Sequence, residues 1–409
     1  MNFEVIKRSH VKRNILIGVL VVLILTAIIL TFTKAKYKIT ESIPLVNGTI
    51  NYELSDFNLI GAYIQEGDSY TQVDEIPTSG YEFNVEKSYC TVNNENINAT
   101  LNYDMETQNL TITPLTTKGT KCYLYFDEKA SGSEYILASE NAPTNSTTDW
   151  TNGGKGITYY YTENPNNWVQ FAGFYWRIIR INGDGTIRMI YQGTSANTTG
   201  SGTQIGTSAF NSSANNKTYV GLVYNTSSQH GYGTNSTIMN TLNNWYNSNL
   251  ASYEEDYIDT GTGFCSDRNM ANGSNFNSSG SIYYASYDRR NGKASLQCHD
   301  DDILSQDNGK LPNPIGLVTS DEAVLTGITW NNANTGSYLY TGQTYWTMSP
   351  YYYSGNALVF YVYSDGHLNS DSLISWPVPG VRPVINLRAD VSLTGSGTTS
   401  DPFKVVGAS

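Results

Sequence analysis

Residues 345–387 read YWTMSPYYYSGNALVFYVYSDGHLNSDSLISWPVPGVRPVINL, and this stretch decides the fold class. Leu358–Tyr363 is rich in β-branched and aromatic residues and predicts a strand. Asp365-Gly366 suits the hairpin turn that follows, because glycine reaches positive φ without a steric penalty. Val384–Leu387 predicts a further strand. Between them lies Arg382, whose five N–H donors suit it to tying loop carbonyls together. Trp346, Gly380, Arg382 and Pro383 read as fold determinants rather than functional groups.

Working outward, Phe174–Ile181 and Thr186–Tyr191, joined by Asn182-Gly183-Asp184-Gly185, predict a hairpin. Residues 193–218 are Ser/Thr/Gly/Asn-rich and read as a loop. In Ser236–Leu250 the spacing of Ile238, Leu242, Trp245 and Tyr246 predicts a helix, capped by Ser236. A second helix is expected at Ser320–Leu325, and a last strand at Phe403–Val406. Upstream, residues 129–150 have the polar composition of a linker. Residues 55–128 predict a small β-sandwich-like domain, with strands at Tyr81–Val85, Ala99–Tyr103, Leu110–Thr113 and Cys122–Phe126. The expected class is α+β: two helices and antiparallel sheets in a main domain at 151–409, preceded by the small all-β domain.

Ile15–Phe32 is an uncharged apolar run of 18 residues. At about 1.5 Å per residue it spans about 27 Å as a helix, close to a bilayer core. Lys7, Arg8, Lys12 and Arg13 precede it, while Lys34, Lys36 and Lys38 follow. The expectation is a retained signal-anchor at 14–33, a cytoplasmic tail at 1–13, a stalk at 34–54 and everything beyond outside the cell membrane. A cleaved signal peptide is the alternative, but TKAKYK after Phe32 offers no small-x-small cleavage site. Residues 39–409 hold 17 basic and 35 acidic groups. Without a cationic cluster in that part, nucleic acid is not an expected partner. All four cysteines, Cys90, Cys122, Cys265 and Cys298, follow the apolar run. Their order favours Cys90–Cys122 and Cys265–Cys298 bridges, each contributing about 3 kcal/mol. Free thiols and the other two pairings stay open.

The order Trp346-Thr347-Met348-Ser349-Pro350, Asn356-Ala357, Ser364-Asp365-Gly366, Val381-Arg382-Pro383-Val384 resembles the C-terminal end of bacterial C-type-lectin-like domains. These include formylglycine-generating-enzyme-like proteins and the variable proteins of diversity-generating retroelements. The resemblance implies that the segment before the V-R-P element faces a ligand. The residues concerned are Tyr351, Tyr352, Tyr353, Asn356, Tyr361, Tyr363, Asp365, His367, Asn369, Asp371 and Trp376. Their chemistry is that of a paratope: tyrosine gives rigid contact area, and Asn, Ser and Gly adapt their hydrogen bonds. Ordinary strand and turn sequence in a tyrosine-rich chain is the other reading. In the small domain, Gly119–Phe126 (GTKCYLYF) resembles the end of a module recurrent in secreted Firmicutes proteins, which implies a spacer or platform.

Other chemistry-bearing patterns are incomplete. Ser228-Gln229-His230-Gly231-Tyr232-Gly233 lacks the cysteine that a thiolate mechanism requires. Asp300-Asp301-Asp302 is a run of hard oxygens, but adjacent side chains point apart. Cys265 and Cys298 lack the close Cys-rich motif of a copper oxidase. No cofactor, metal site or enzymatic activity is therefore expected. The functional expectation is a membrane-anchored adhesion or binding protein with a protein or glycan ligand. A structural cell-envelope protein is the alternative.

Overall fold

A computed structural model of the protein describes residues 57–77, 80–104, 107–113, 119–148, 156–372 and 378–409. The expected anchor and stalk lie outside these residues. Among the described residues, no helix is long and apolar enough to cross a membrane. The chain is sheet-rich α+β, and its described residues divide into two compact units, one ending at Asp127 and one beginning at Glu128.

The first unit is built on a five-stranded sheet. Its order is Ser69–Val73, Phe57–Glu66, Thr120–Glu128, Tyr81–Val92, Glu95–Ile97. Phe57–Glu66 runs parallel to Thr120–Glu128, with Tyr63 opposite Tyr125. Alternation along a strand sends successive side chains to opposite faces. Cys122, Leu124 and Phe126 accordingly enter a core with Ala62, Cys90, Leu101 and Tyr103. The hairpin Thr100–Asp104/Asn109–Thr113 covers that face, with the Tyr103 ring 5.6 Å from Phe126. Cys90 and Cys122 form the expected bridge between neighbouring strands.

The second unit centres on a sheet ordered Val384–Leu387, Ile187–Gly193, Phe174–Ile181, Trp168–Phe171, Phe403–Val405, Leu393–Thr394. The hairpin expected at 174–191 forms, with Gly185 at φ +84° in its turn. Phe403–Val405 pairs in parallel with Trp168–Phe171, so the last residues complete the sheet. The long helix is Thr237–Asn249; Ser236 caps it by accepting from Met239 N, and Ile238, Leu242 and Tyr246 are buried. Ser320–Leu325 is helical behind a capping box in which Thr319 and Glu322 satisfy each other's backbone N–H.

Residues 129–150 carry more structure than a linker. Ser131 and Glu134 form a capping box for the helix Gly132–Ala138. Ile136 is fully buried in the core of the second unit. A Cβ at Gly132 would approach Val391 to 2.8 Å. Asn145–Thr147 then pairs with Thr158–Tyr160 at the margin of the sheet. The polar composition of the flanks concealed this, because the packing falls to a short run in which Ile136 is buried and Tyr135 and Leu137 lie against the same core. The 193–218 segment likewise keeps its loop character, yet it buries Phe210 5.7 Å from the Trp346 ring.

Candidate functional site: an aromatic surface on the four-stranded sheet

The segment read as ligand-facing folds into a second sheet of this unit. Its order is Ile282–Tyr283, Tyr345–Tyr353, Ala357–Val362, Leu368–Ser372. Two turns shape it. Gly355 takes φ +81° between the second and third strands, and Gly366 takes φ +87° between the third and fourth. At Gly366 any Cβ would sit 2.3 Å from the Asn334 carbonyl oxygen, so both conformation and space require glycine there.

The residues read as fold determinants pack against or within the Tyr345–Tyr353 strand. Arg382 is fully buried. It donates to the carbonyls of Tyr191 and Leu339 and to Gln192 Oε1, and lies 4.7 Å over the Tyr345 ring. Trp346 Nε1 donates to the Ser208 carbonyl at 2.8 Å. A Cβ on Gly380 would meet the Gln204 side chain at 1.9 Å.

Strand alternation splits the expected ligand set between two faces. One face is that of Phe360. A register irregularity at Pro350–Tyr352 lets the consecutive Tyr351 and Tyr352 join one cluster, as bulges do. Tyr351 lies 4.9 Å from Phe360 and stacks on Trp330 at 5.2 Å and 16°. Tyr352 stacks on Tyr283 at 5.3 Å, and Tyr283 lies 4.4 Å from Tyr287. The Arg290 guanidinium sits 3.6 Å over Tyr287 and 5.7 Å from the Trp330 ring. Its Nε is buried without a hydrogen-bond partner. Tyr283, Tyr287, Trp330, Tyr351 and Tyr352 are all half-buried. Burial, ahead of the weaker effect of nearby Arg290, raises the Tyr351 phenol pKa. Tyr353 turns aside and donates to the Asn215 carbonyl at 3.2 Å. Asn356 is exposed in the turn.

The opposite face carries Tyr361, Asn369 and Asp371, with Tyr361 paired to Asn369 and Val359 to Asp371. Tyr361 is buried against Trp346 at 6.1 Å, and Tyr363 is exposed beside it at 6.2 Å. His367 lies 5.2 Å from Tyr363, with its Nδ1 2.5 Å from Asp365 Oδ1 and its Nε2 3.3 Å from Asn369 Nδ2. Burial and then the Asp371 carboxylate push the Tyr361 phenol up to about 12. Trp376 lies outside the described residues.

Sequence reasoning missed Tyr283, Tyr287, Arg290 and Trp330. The first three sit within the loop that the Cys265–Cys298 bridge closes, and Trp330 follows the second short helix. Their tyrosine density was visible in the sequence, but their convergence depends on strand pairing across about 70 residues.

The same unit holds a charged cavity of about 20 Å³, room for one water. Glu322 pairs with Arg180 at 3.1 Å and, more closely, with Arg188. Arg289 grips Asp321 through two bonds, at 2.7 and 3.0 Å, and also contacts Asp267. Burial alone would raise the Glu322 carboxyl; Arg188 and then Arg180 outweigh it and hold the group below its usual range. Burial, with the neighbouring Asp321 and Asp302 carboxylates, raises Asp267 instead, against the opposing pull of Arg289. Asp302 of the acidic run is fully buried. It accepts from His230 Nδ1, Ser266 Oγ and Arg268 N, whereas Asp300 and Asp301 are exposed. Among the described residues no cluster of three or more His, Cys, Asp or Glu side chains is disposed to hold a metal ion. Cys265 and Cys298 are joined in a disulfide. No protein-family model, curated protein or solved structure matches this chain.

Proposed function

We propose that the protein is a membrane-anchored surface protein whose second unit, a C-type-lectin-like domain, binds an extracellular protein or glycan through the aromatic surface on the Phe360 face. The supporting observation is the convergence of Tyr351 and Tyr352 with Tyr283, Tyr287, Trp330 and Arg290 into one half-exposed cluster. Half-exposed tyrosine and tryptophan beside an arginine is the composition in which binding energy concentrates at interfaces. Rings fixed by stacking have little rotamer freedom left to lose when a ligand arrives. The lectin-like reading is supported by the helix at Thr237–Asn249, the short second helix, and the buried Arg382 against Tyr345. The apolar run Ile15–Phe32 supports the single-pass location, with the N-terminus inside.

The test is binding of the full chain to a printed glycan array and to a panel of immobilised extracellular-matrix proteins. Tyr352→Ala and Trp330→Ala are expected to lower the signal at least tenfold while preserving the far-UV spectrum. Tyr363→Ala, on the opposite face, is expected to leave it unchanged. Loss only in Tyr363→Ala would move the site to the His367 face. Absence of binding above background would remove the proposal.

A further inference from the structure

Arg290 stands in the aromatic cluster with half of its guanidinium unused. The group lies 3.6 Å over the Tyr287 ring, and its Nη1 donates to the Tyr287 carbonyl. Two contacts to one residue thus hold it in place. Among the described residues that carbonyl is the one hydrogen-bond acceptor Arg290 meets. Its Nε is buried and bonded to nothing. Buried donors are almost always satisfied, so an unbonded nitrogen on a charged group asks for an explanation. Asp288, two residues back, does not supply a partner: its carboxylate accepts from Asn272 N.

The other arginines of the described residues have their partners. Arg180 and Arg188 share Glu322, Arg268 lies by Asp302, Arg289 by Asp321 and Asp267, and Arg388 by Asp390. Arg177 and Arg382 direct their donors at carbonyls and side-chain amides. Arg188 and Arg268 also keep unbonded nitrogens, but both are fully buried beside their carboxylates, whereas Arg290 is half-exposed. Arg290 is therefore a cation fixed by its own neighbours and paired with no carboxylate among the described residues. Its free edge, Nε with Nη2, is suited to a planar carboxylate held by two parallel bonds. A lysine ammonium offers no such edge.

We infer, on the reading that this surface binds a partner, that Arg290 receives a carboxylate there: an Asp or Glu side chain of an acidic protein segment. The neighbouring rings favour protein over an acidic sugar. Tyr287 lies under the guanidinium, and Trp330 stacks on Tyr351 at 5.2 Å. A sugar acid gripped by Arg290 finds those ring faces covered, whereas a peptide needs only ring edges and phenol hydroxyls, which both donate and accept. The chain's net charge of −12 opposes an acidic partner at long range. In about 0.15 M salt that repulsion is screened beyond about 8 Å, and at contact the charge-assisted bonds prevail. Nε is closed to water in the free chain, so the second of the two bonds forms as the surrounding ring edges part to admit an oxygen.

The experiment is fluorescence anisotropy of fluorescein-labelled decaglutamate against the full chain in detergent micelles, at about 0.15 M salt. The expected result is binding at least tenfold tighter than that of labelled decaglutamine. Arg290→Gln is expected to weaken decaglutamate about tenfold, the effect of losing a charge-assisted bond, with the wild-type far-UV spectrum retained. Arg290→Lys keeps the charge but not the fork and is expected to lose most of that affinity as well; it decides the matter if Arg290→Gln misfolds. Tyr363→Ala leaves the affinity unchanged. Equal affinity for the two peptides, no binding of decaglutamate, or wild-type affinity in a folded Arg290 variant overturns the inference. So does an oligogalacturonate or a heparin tetrasaccharide that displaces the labelled peptide at lower concentration than unlabelled decaglutamate, since the ligand is then an acidic glycan. On the glycan array and matrix-protein panel, a signal lost in Tyr352→Ala but kept in Arg290→Gln retains the surface and removes its carboxylate specificity.

Discussion

Glu322 holds three jobs in one carboxylate. It closes a capping box on the Ser320–Leu325 helix, and it neutralises Arg180 and Arg188 in a fully buried site. Removing its charge takes from two buried guanidiniums the carboxylate they share, which is far worse than replacing the whole cluster. Glu322→Gln is expected to cost about 3–5 kcal/mol, read as a shift in the urea midpoint of tryptophan fluorescence. The pH dependence follows from the direction of its shift. Because the folded-state value lies below the ordinary one, its stabilisation is complete above an ordinary carboxyl pKa of about 4.3 and fades as pH falls further. The wild-type chain should therefore lose stability below that pH more steeply than Glu322→Gln does. Under the proposed function Tyr352 and Trp330 work at the same scale with opposite physics: each keeps part of its ring exposed, and that area is what a partner would cover.

At the level of elements, Ser236 tests how far local signals carry. Its hydroxyl accepts from Met239 N at the start of the Thr237–Asn249 helix. Ser236→Ala should cost about 1 kcal/mol, a lowered urea midpoint with unchanged slope. This helix and the short one at Ser320–Leu325 were legible in the sequence because periodicity and caps are local. So was the 174–191 hairpin, through its Asn-Gly-Asp-Gly turn. The Gly132–Ala138 helix was equally marked by its Ser131/Glu134 capping box. At seven residues it is too short for its packing side chains, Tyr135, Ile136 and Leu137, to repeat into a periodic stripe. The candidate site was half legible. Tyr351 and Tyr352 stand in a tyrosine triplet, but Tyr283, Tyr287 and Trp330 reach them only through pairings such as Tyr283 with Tyr352. The division of the expected set between two faces was readable in principle from alternation. The irregularity at Pro350–Tyr352, which brings two consecutive tyrosines together, was not.

Across the whole molecule, two units with separate cores should unfold in separate steps. All seven tryptophans lie beyond residue 128, so their fluorescence follows the second unit alone. Near-ultraviolet signals from tyrosine follow both units. Denaturation monitored by the two probes should give non-coincident curves, the signature of more than two states. The Cys265–Cys298 bridge also decides how the molecule meets proteases. Tyr283, Tyr287 and Arg290 sit on a length of chain whose two ends are covalently stitched together at its base. A protease that clips an exposed position there, such as around Asn291-Gly292, opens a ring and releases no fragment. The two pieces stay linked until a reductant is added, so a surface worn by cleavage keeps its aromatic loop attached.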